Sequence, residues 1–189
     1  QQRSEPEAMV DNALDRHGNP YRRGDLRYAR GFDEIASDIQ ALTVQQLRDF
    51  HGRFYGASQA QFAAVGDFDA AALRAALESA FGGWRSPAPY TRIPEPAVQT
   101  PPARLVLQAP DKQNAVLGLR QSVALTENDA DYPAFSLANF MLGSGGNSRL
   151  WKRIREREGL SYGTWSSVQW NPFERNSMWQ AGAIFAPQN

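Results

Sequence analysis

The sequence contains no cysteine, and this absence removes several kinds of chemistry. Disulfide bonds, thiolate zinc sites and thiol nucleophiles all require cysteine. Histidine is almost as scarce, since His17 and His51 are the only two and neither belongs to an H-x-x-E-H or H-x-x-x-H pair. Catalytic zinc sites use about three protein ligands, so we expect no metal site within the chain. We expect His17 to lie in a turn and His51 on a helix surface.

An excess of charge of either sign is also absent. The 20 Lys and Arg residues balance the 20 Asp and Glu residues, and the formal net charge is zero. Proteins that bind phosphate backbones normally carry surplus Lys and Arg, so we expect no nucleic-acid partner. No apolar run approaches the roughly 20 residues that a membrane helix needs, and we expect no membrane partner. Because the sequence begins with two glutamines and not with Met, we expect a piece of a longer protein.

The first part of the chain combines helix and strand patterns. The whole sequence is 42% hydrophobic, which is enough apolar material for a core. Thr43 precedes apolar residues spaced three and four apart, a pattern that predicts a capped amphipathic helix. Residues 59–66 (QAQFAAVG) form a short apolar run between turn signals and predict a buried strand. Asp67 or Asp69 then caps a second helix.

The composition changes abruptly at residues 85–104. This segment holds six of the twelve prolines of the chain. Proline-rich segments cannot join the interior of a sheet and favour extended conformations. We therefore predict that residues 85–104 are a linker between a domain part at 1–84 and another at 105–189.

The elements after the linker follow a different order. Six are predicted, in the order strand, strand, helix, helix, strand, strand, over residues 105–108, 115–123, 131–142, 147–158, 162–170 and 178–186. The first two strands are separated by a five-residue turn and predict a hairpin. This order predicts an α+β fold with a mixed or antiparallel sheet and helices packed on one face.

Several features here allow both a functional and a structural interpretation. Residues 143–149 (GSGGNSR) suggest a phosphate loop but lack its lysine, so we favour a turn in which Asn147 or Ser148 caps the next helix. The charged helix that follows is typical of a solvated face, with nucleic-acid binding as the alternative. Three tryptophans favour packing over a ligand-stacking platform: Trp165, Trp170 and Trp179.

The same region resembles a known family. Residues 143–150 (GSGGNSRL) and 154–162 (IREREGLSY) are similar to the glycine turn and the R-x-x-x-G-L-x-Y region of insulinase/pitrilysin-type zinc metallopeptidases. Residues 54–55 (FY), 65–67 (VGD) and 81–84 (FGGW) match further short motifs of that family, in the same order. The matched region is the non-catalytic (inactive) domain of such peptidases.

The resemblance implies a fragment with the metallopeptidase-repeat fold (LuxS/mitochondrial-processing-peptidase-like). Residues 1–84 would be the C-terminal part of one α+β repeat, and residues 105–189 the N-terminal part of the following repeat. The fragment would be a non-catalytic central segment that forms chamber wall and contacts bound peptide. Zinc is expected in the parent protein and not in this fragment. The implied partners are a peptide substrate and the catalytic half of the same chain or of a partner subunit, and the resemblance favours the periplasm.

One pair of functional residues carries over from the family. There, an Arg and a Tyr seven positions apart hydrogen-bond the substrate near the scissile bond, and Arg155 and Tyr162 occupy these positions. Both groups can donate hydrogen bonds to a carbonyl oxygen. We predict Arg155 and Tyr162 as substrate-binding residues, with no catalytic residue in the chain. The alternatives are that Arg155 pairs with a neighbouring Glu and Tyr162 packs, and that the chain is an assembly module of a degenerate, inactive family member.

Overall fold

The structure is a computed structural model and describes residues 2–188. A 3₁₀ turn at Gln2–Ser4 precedes five α-helices, three β-strands and one π-helical segment. The elements are α1 (Pro6–His17), α2 (Phe32–Ala41), α3 (Val44–Phe54), α4 (Ala70–Phe81), β1 (Ala115–Val123), α5 (Tyr132–Gly143), the π-helical segment (Trp151–Arg157), β2 (Ser161–Gln169) and β3 (Ser177–Phe185). Contacts group these residues into two units, one made of the chain up to Ile35 together with the chain from Pro94, the other of Ala36–Ile93.

The first unit contains an antiparallel sheet of three strands in the order β1-β3-β2. β1 pairs with β3 along its whole length, from Ala115 opposite Phe185 to Val123 opposite Ser177. The buried apolar residues Ala181 and Ala183 lie in β3, the central strand. The predicted α+β class is confirmed, and the three predicted strands of this sheet lie within one residue of their predicted bounds.

The two faces of this sheet are covered by different helices. α5 packs on β2, where Asn139 donates to the Ser166 carbonyl at 3.4 Å and accepts from the Trp179 indole at 3.1 Å. α1 packs on β1, where its apolar side chains approach Gly118. Gly118 pairs with Gly182 of β3, so α1 lies on the face of the sheet to which Gly182 belongs. Trp179, which bonds to α5, is three residues from Gly182 and belongs to the other face, because successive residues of a strand alternate between the faces. The two helices therefore lie on opposite faces. α5 therefore covers the sheet as predicted, and α1 adds a cover on the other face.

The second unit contains α3 and α4, which are capped as the sequence predicts. The Thr43 hydroxyl accepts from the Gln46 amide at 3.2 Å, and the Gln46 side chain accepts in return from the Thr43 amide at 2.8 Å. Asp69, rather than Asp67, caps α4 by accepting from two backbone amides at 2.8 and 2.9 Å. These side chains satisfy amides that would otherwise lack partners at each helix start.

Two predicted strands are wrong. Residues 59–66 are not a strand and are not buried, since Phe62 is 63% and Val65 fully exposed. Residues 105–108 are also unpaired, so the predicted hairpin does not form. A strand needs a neighbour for its backbone hydrogen bonds, and no described residue of the chain supplies one to either segment.

The apolar side of the second unit is open to solvent. None of residues 36–93 is buried, and Leu47, Phe50 and Phe54 on one side of α3 are each about half exposed. The helix predicted from the three-and-four spacing thus forms, although none of these three side chains is buried. The division into repeats at 1–84 and 105–189 remains a prediction, because grouping by contacts does not test where a repeat ends. No described helix is both long and apolar enough to cross a membrane.

Candidate substrate-contact site

The candidate site lies between α5 and β2, beginning at a glycine turn. Gly145 adopts φ of +81°, in the left-handed region that favours glycine. Ser148 is buried, and its hydroxyl accepts from the Trp151 amide at 3.4 Å. Of the two predicted caps, Ser148 therefore caps the next helical turn. The structural interpretation of this glycine-rich segment is supported, since its serine is engaged with the backbone.

A π-helical segment follows the turn. Its backbone bonds span five residues, as between the Glu158 amide and the Arg153 carbonyl at 3.2 Å. Gly159 then ends the segment at φ of +65°. The predicted helix over residues 147–158 is thus present, but residues 151–157 are wound more loosely than an α-helix. Such segments occur frequently at functional sites.

Arg155 lies in the last turn of this segment. Its guanidinium stacks on the Trp151 ring, with the guanidinium carbon 4.3 Å from the ring centroid, and donates to the backbone carbonyl of Tyr162. The neighbouring Glu158 instead accepts from Arg153 at 3.0 Å. The alternative that Arg155 pairs with this Glu is therefore not what the structure shows.

Tyr162 is the extra residue of a β-bulge. Ser161 pairs with Phe185 and Gly163 with Ile184, so Tyr162 has no partner on β3. The buried Ser161 hydroxyl fixes this irregularity, lying 2.6 Å from the carbonyl oxygens of both Gly163 and Ile184. The Tyr162 side chain is 63% exposed, which excludes it from the core.

The structure thus brings the two predicted site residues together at the junction of helix and strand. Their contact runs from the Arg155 guanidinium to the Tyr162 backbone, and both side chains remain exposed. A guanidinium has five N–H donors and a phenol has one, so donors remain for a ligand. Arg155 and Tyr162 can donate hydrogen bonds to an acceptor. We assign neither of them the role of a base or a nucleophile.

Trp151 is a contact that the sequence analysis missed. It lies four residues before Arg155, a spacing that brings helical side chains together. That spacing was visible in the sequence, although the stacking itself depends on side-chain rotamers. Two other tryptophans are packed: Trp170 lies 4.7 Å from the Tyr132 ring, and Trp179 bonds to Asn139. The packing interpretation thus fits these two.

The described residues do not fit a zinc site. Within residues 2–188, no group of three or more His, Cys, Asp or Glu side chains is arranged to hold a metal ion. His17 ends α1, with its Nε2 atom 2.9 Å from the Pro101 carbonyl oxygen. His51 is exposed on α3 and stacks on Tyr55.

Solved structures define the class to which this fold belongs. A structure described as a peptidase M16 inactive domain from Pseudomonas fluorescens is similar with a TM-score of 0.67 and 24% identity, over 98% of this chain and 43% of that one. A protease from Helicobacter pylori is similar with a TM-score of 0.72 and 19% identity, over 98% and 44%. The chain therefore shares the fold of these two structures. A family profile described as "Peptidase M16 inactive domain" matches residues 41–189, and the chain belongs to this family.

Curated relatives agree with this assignment. An "uncharacterized zinc protease" of Streptomyces coelicolor is 28% identical over 151 residues, which cover 76% of this chain and 32% of the relative. One of the same name from Mycobacterium tuberculosis is 28% identical over 149 residues, covering 77% and 33%. A "probable inactive metalloprotease" of Bacillus subtilis is 24% identical over 143 residues, covering 75% and 33%. The family resemblance is confirmed, and the chain spans about a third of these relatives' length.

Proposed function

We propose that this chain is a non-catalytic segment of a longer zinc metallopeptidase, in which it forms chamber wall and contacts the bound peptide. The observation that carries the proposal is the meeting of Arg155 and Tyr162 at one junction, with both side chains exposed. The names of the relatives support zinc in the longer protein. We propose that a catalytic half holds the zinc, in the same chain or in a partner subunit, and the family resemblance favours the periplasm.

The chemistry assigned to the two residues is hydrogen bonding. A peptide substrate presents backbone carbonyl oxygens, which accept from a guanidinium or a phenol. Arg155 binds such an oxygen with donors that the Tyr162 carbonyl does not use, and the Tyr162 hydroxyl donates to a second position. Zinc bound in the catalytic half would supply the activated water, and Arg155 and Tyr162 would contact the peptide. Donors aimed at an oxygen that gains charge stabilise the transition state more than the ground state.

Kinetics of the longer protein test this assignment. Arg155→Ala and Tyr162→Phe each remove one donor group, and we expect kcat/KM for peptide cleavage to fall by about tenfold or more with zinc content unchanged. Arg157→Ala is the matched control for the first, because Arg157 is exposed on the same segment. Tyr90→Phe controls for the loss of an exposed phenol elsewhere. Unchanged kinetics in both test variants would remove the substrate-contact role.

The second candidate is a structural or assembly module of a degenerate, inactive member. The Bacillus subtilis relative, named a "probable inactive metalloprotease", favours it. Metal analysis and peptide cleavage by the longer protein separate the two candidates. One zinc per chain and measurable turnover support the peptidase, whereas the absence of both supports the module. An H-x-x-E-H motif in the longer sequence would also support the peptidase.

A further inference from the structure

Trp151 is an aromatic platform beneath Arg155. The guanidinium carbon of Arg155 lies 4.3 Å from the centroid of the Trp151 ring, well within the range of a cation–π contact. We infer that Trp151 is a positioning residue, which holds the Arg155 guanidinium in the orientation that receives substrate. This inference rests on the function proposed above, because it concerns how Arg155 is held.

The platform is itself tied to the rigid part of the site. The Trp151 amide donates to the hydroxyl of Ser148, whose side chain is buried beside the glycine turn. The indole lies over that turn, so that a Cβ atom on Gly146 would be 3.8 Å from its Nε1 atom. The Trp151 backbone is fixed by Ser148 and one edge of its indole lies over Gly146, so the ring can restrain a guanidinium that stacks on its face.

Arg155 is thereby held at two points. The indole restrains the plane of the guanidinium, and the Tyr162 carbonyl fixes its rotation within that plane. An arginine without such contacts loses much side-chain entropy when it binds a ligand. Holding it in advance lowers this cost, which is the general effect of preorganisation on binding. The Tyr162 carbonyl takes a hydrogen bond from one nitrogen of the guanidinium, and the remaining N–H groups can donate to a peptide carbonyl.

Replacement of the platform in the longer protein gives a graded test. Tryptophan is the best cation–π partner, phenylalanine is weaker, and leucine keeps apolar bulk without a π face. We expect Trp151→Leu to lower kcat/KM by about two- to fivefold and Trp151→Phe to lower it less. In an Arg155→Ala background, Trp151→Leu should cause no further loss, because the platform then has nothing to hold.

The control is Trp170→Leu, since Trp170 packs against Tyr132 and Phe135. We expect it to lower the melting temperature and to change kcat/KM by the same factor with or without Arg155. Ring-current shifts of the Arg155 side-chain NMR signals give a second readout, expected in the unmodified protein and lost in Trp151→Leu.

The outcomes separate the inference from the proposed function. Equal losses from Trp151→Leu in both backgrounds would overturn the inference, since the residue would then be merely structural. A large loss from Arg155→Ala with none from Trp151→Leu would also overturn it and leave the proposed function standing. No loss from Arg155→Ala would remove the inference, and no loss from Tyr162→Phe as well would also remove the proposed function. Loss from Trp151→Leu that depends on Arg155, with partial rescue by phenylalanine, supports the inference.

Discussion

Gly143, the last residue of α5, lies so close to Ser166 of β2 that a Cβ atom on residue 143 would overlap the Ser166 backbone nitrogen. The close approach brings α5 onto the sheet immediately before the glycine turn that starts the candidate site. Because the overlapped atom belongs to the backbone of β2, it cannot move aside as a flexible side chain would. The position of the candidate site thus depends on having glycine at residue 143.

We therefore expect Gly143→Ala to lower the free energy of unfolding by about 1–3 kcal/mol, the usual cost of overpacking. Gly163→Ala is the matched control, since no atom lies within 4 Å of a Cβ built there. Urea denaturation of the two variants and the unmodified chain measures the difference. Equal stability of the two variants would contradict the close packing of α5 on β2.

The capping box of α3 predicts a second stability effect. Thr43→Ala removes the hydroxyl that accepts from the Gln46 amide, and we expect a loss of about 1 kcal/mol from α3. Thr43→Ser keeps the oxygen and should retain most of that stability. Hydrogen exchange of the amides in the first turn of α3 reports the change locally, and equal exchange in both variants would argue against the cap.

The Asp25 carboxylate predicts an acid-side effect. Hydrogen bonds from the Arg27 side chain, and then from the Arg27 amide, lower the pKa of Asp25 from 3.8 to about 2. The charged form is thus favoured in the folded state. Its contribution to stability is fully present above pH 3.8 and is lost as the pH falls through about 2.

An NMR titration of the Asp25 side-chain carbon checks this effect, with Asp25→Asn identifying the signal. We expect a midpoint near pH 2, which should move towards 3.8 in Arg27→Leu. An equal midpoint in Arg27→Leu and the unmodified chain would show that the side-chain hydrogen bonds from Arg27 do not set the pKa of Asp25.

The sequence predicted features whose causes are local. Thr43 and Asp69 cap helices through amides two or three residues away, so the signal and the structure lie in one segment. Residues 59–66 have the composition of a strand, but a strand also needs a neighbour, and none of the described residues pairs with them. Local patterns therefore indicated which segments favour a strand but not whether a partner is present.

The candidate site was predictable to a similar degree. The family motif gave Arg155 and Tyr162, and the predicted bounds of the helix at 147–158 and the strand at 162–170 indicated that the two elements meet between them. The π-helical winding and the bulge at Tyr162 have no compositional signal, because both are irregularities of backbone pairing. The stacking of Arg155 on Trp151 also has no such signal, because it depends on side-chain rotamers.

The most direct test of the central claim is a photo-crosslink from position 162 to a peptide substrate. Tyr162 is replaced with p-benzoylphenylalanine in the longer protein, whose zinc is removed so that the peptide is not cleaved. The same replacement of Gln169, exposed at the far end of β2, is the control. We predict crosslinked peptide from position 162 and little from 169. No crosslink at position 162, or equal yields at both positions, would contradict the proposal that this chain contacts substrate through the Arg155–Tyr162 junction.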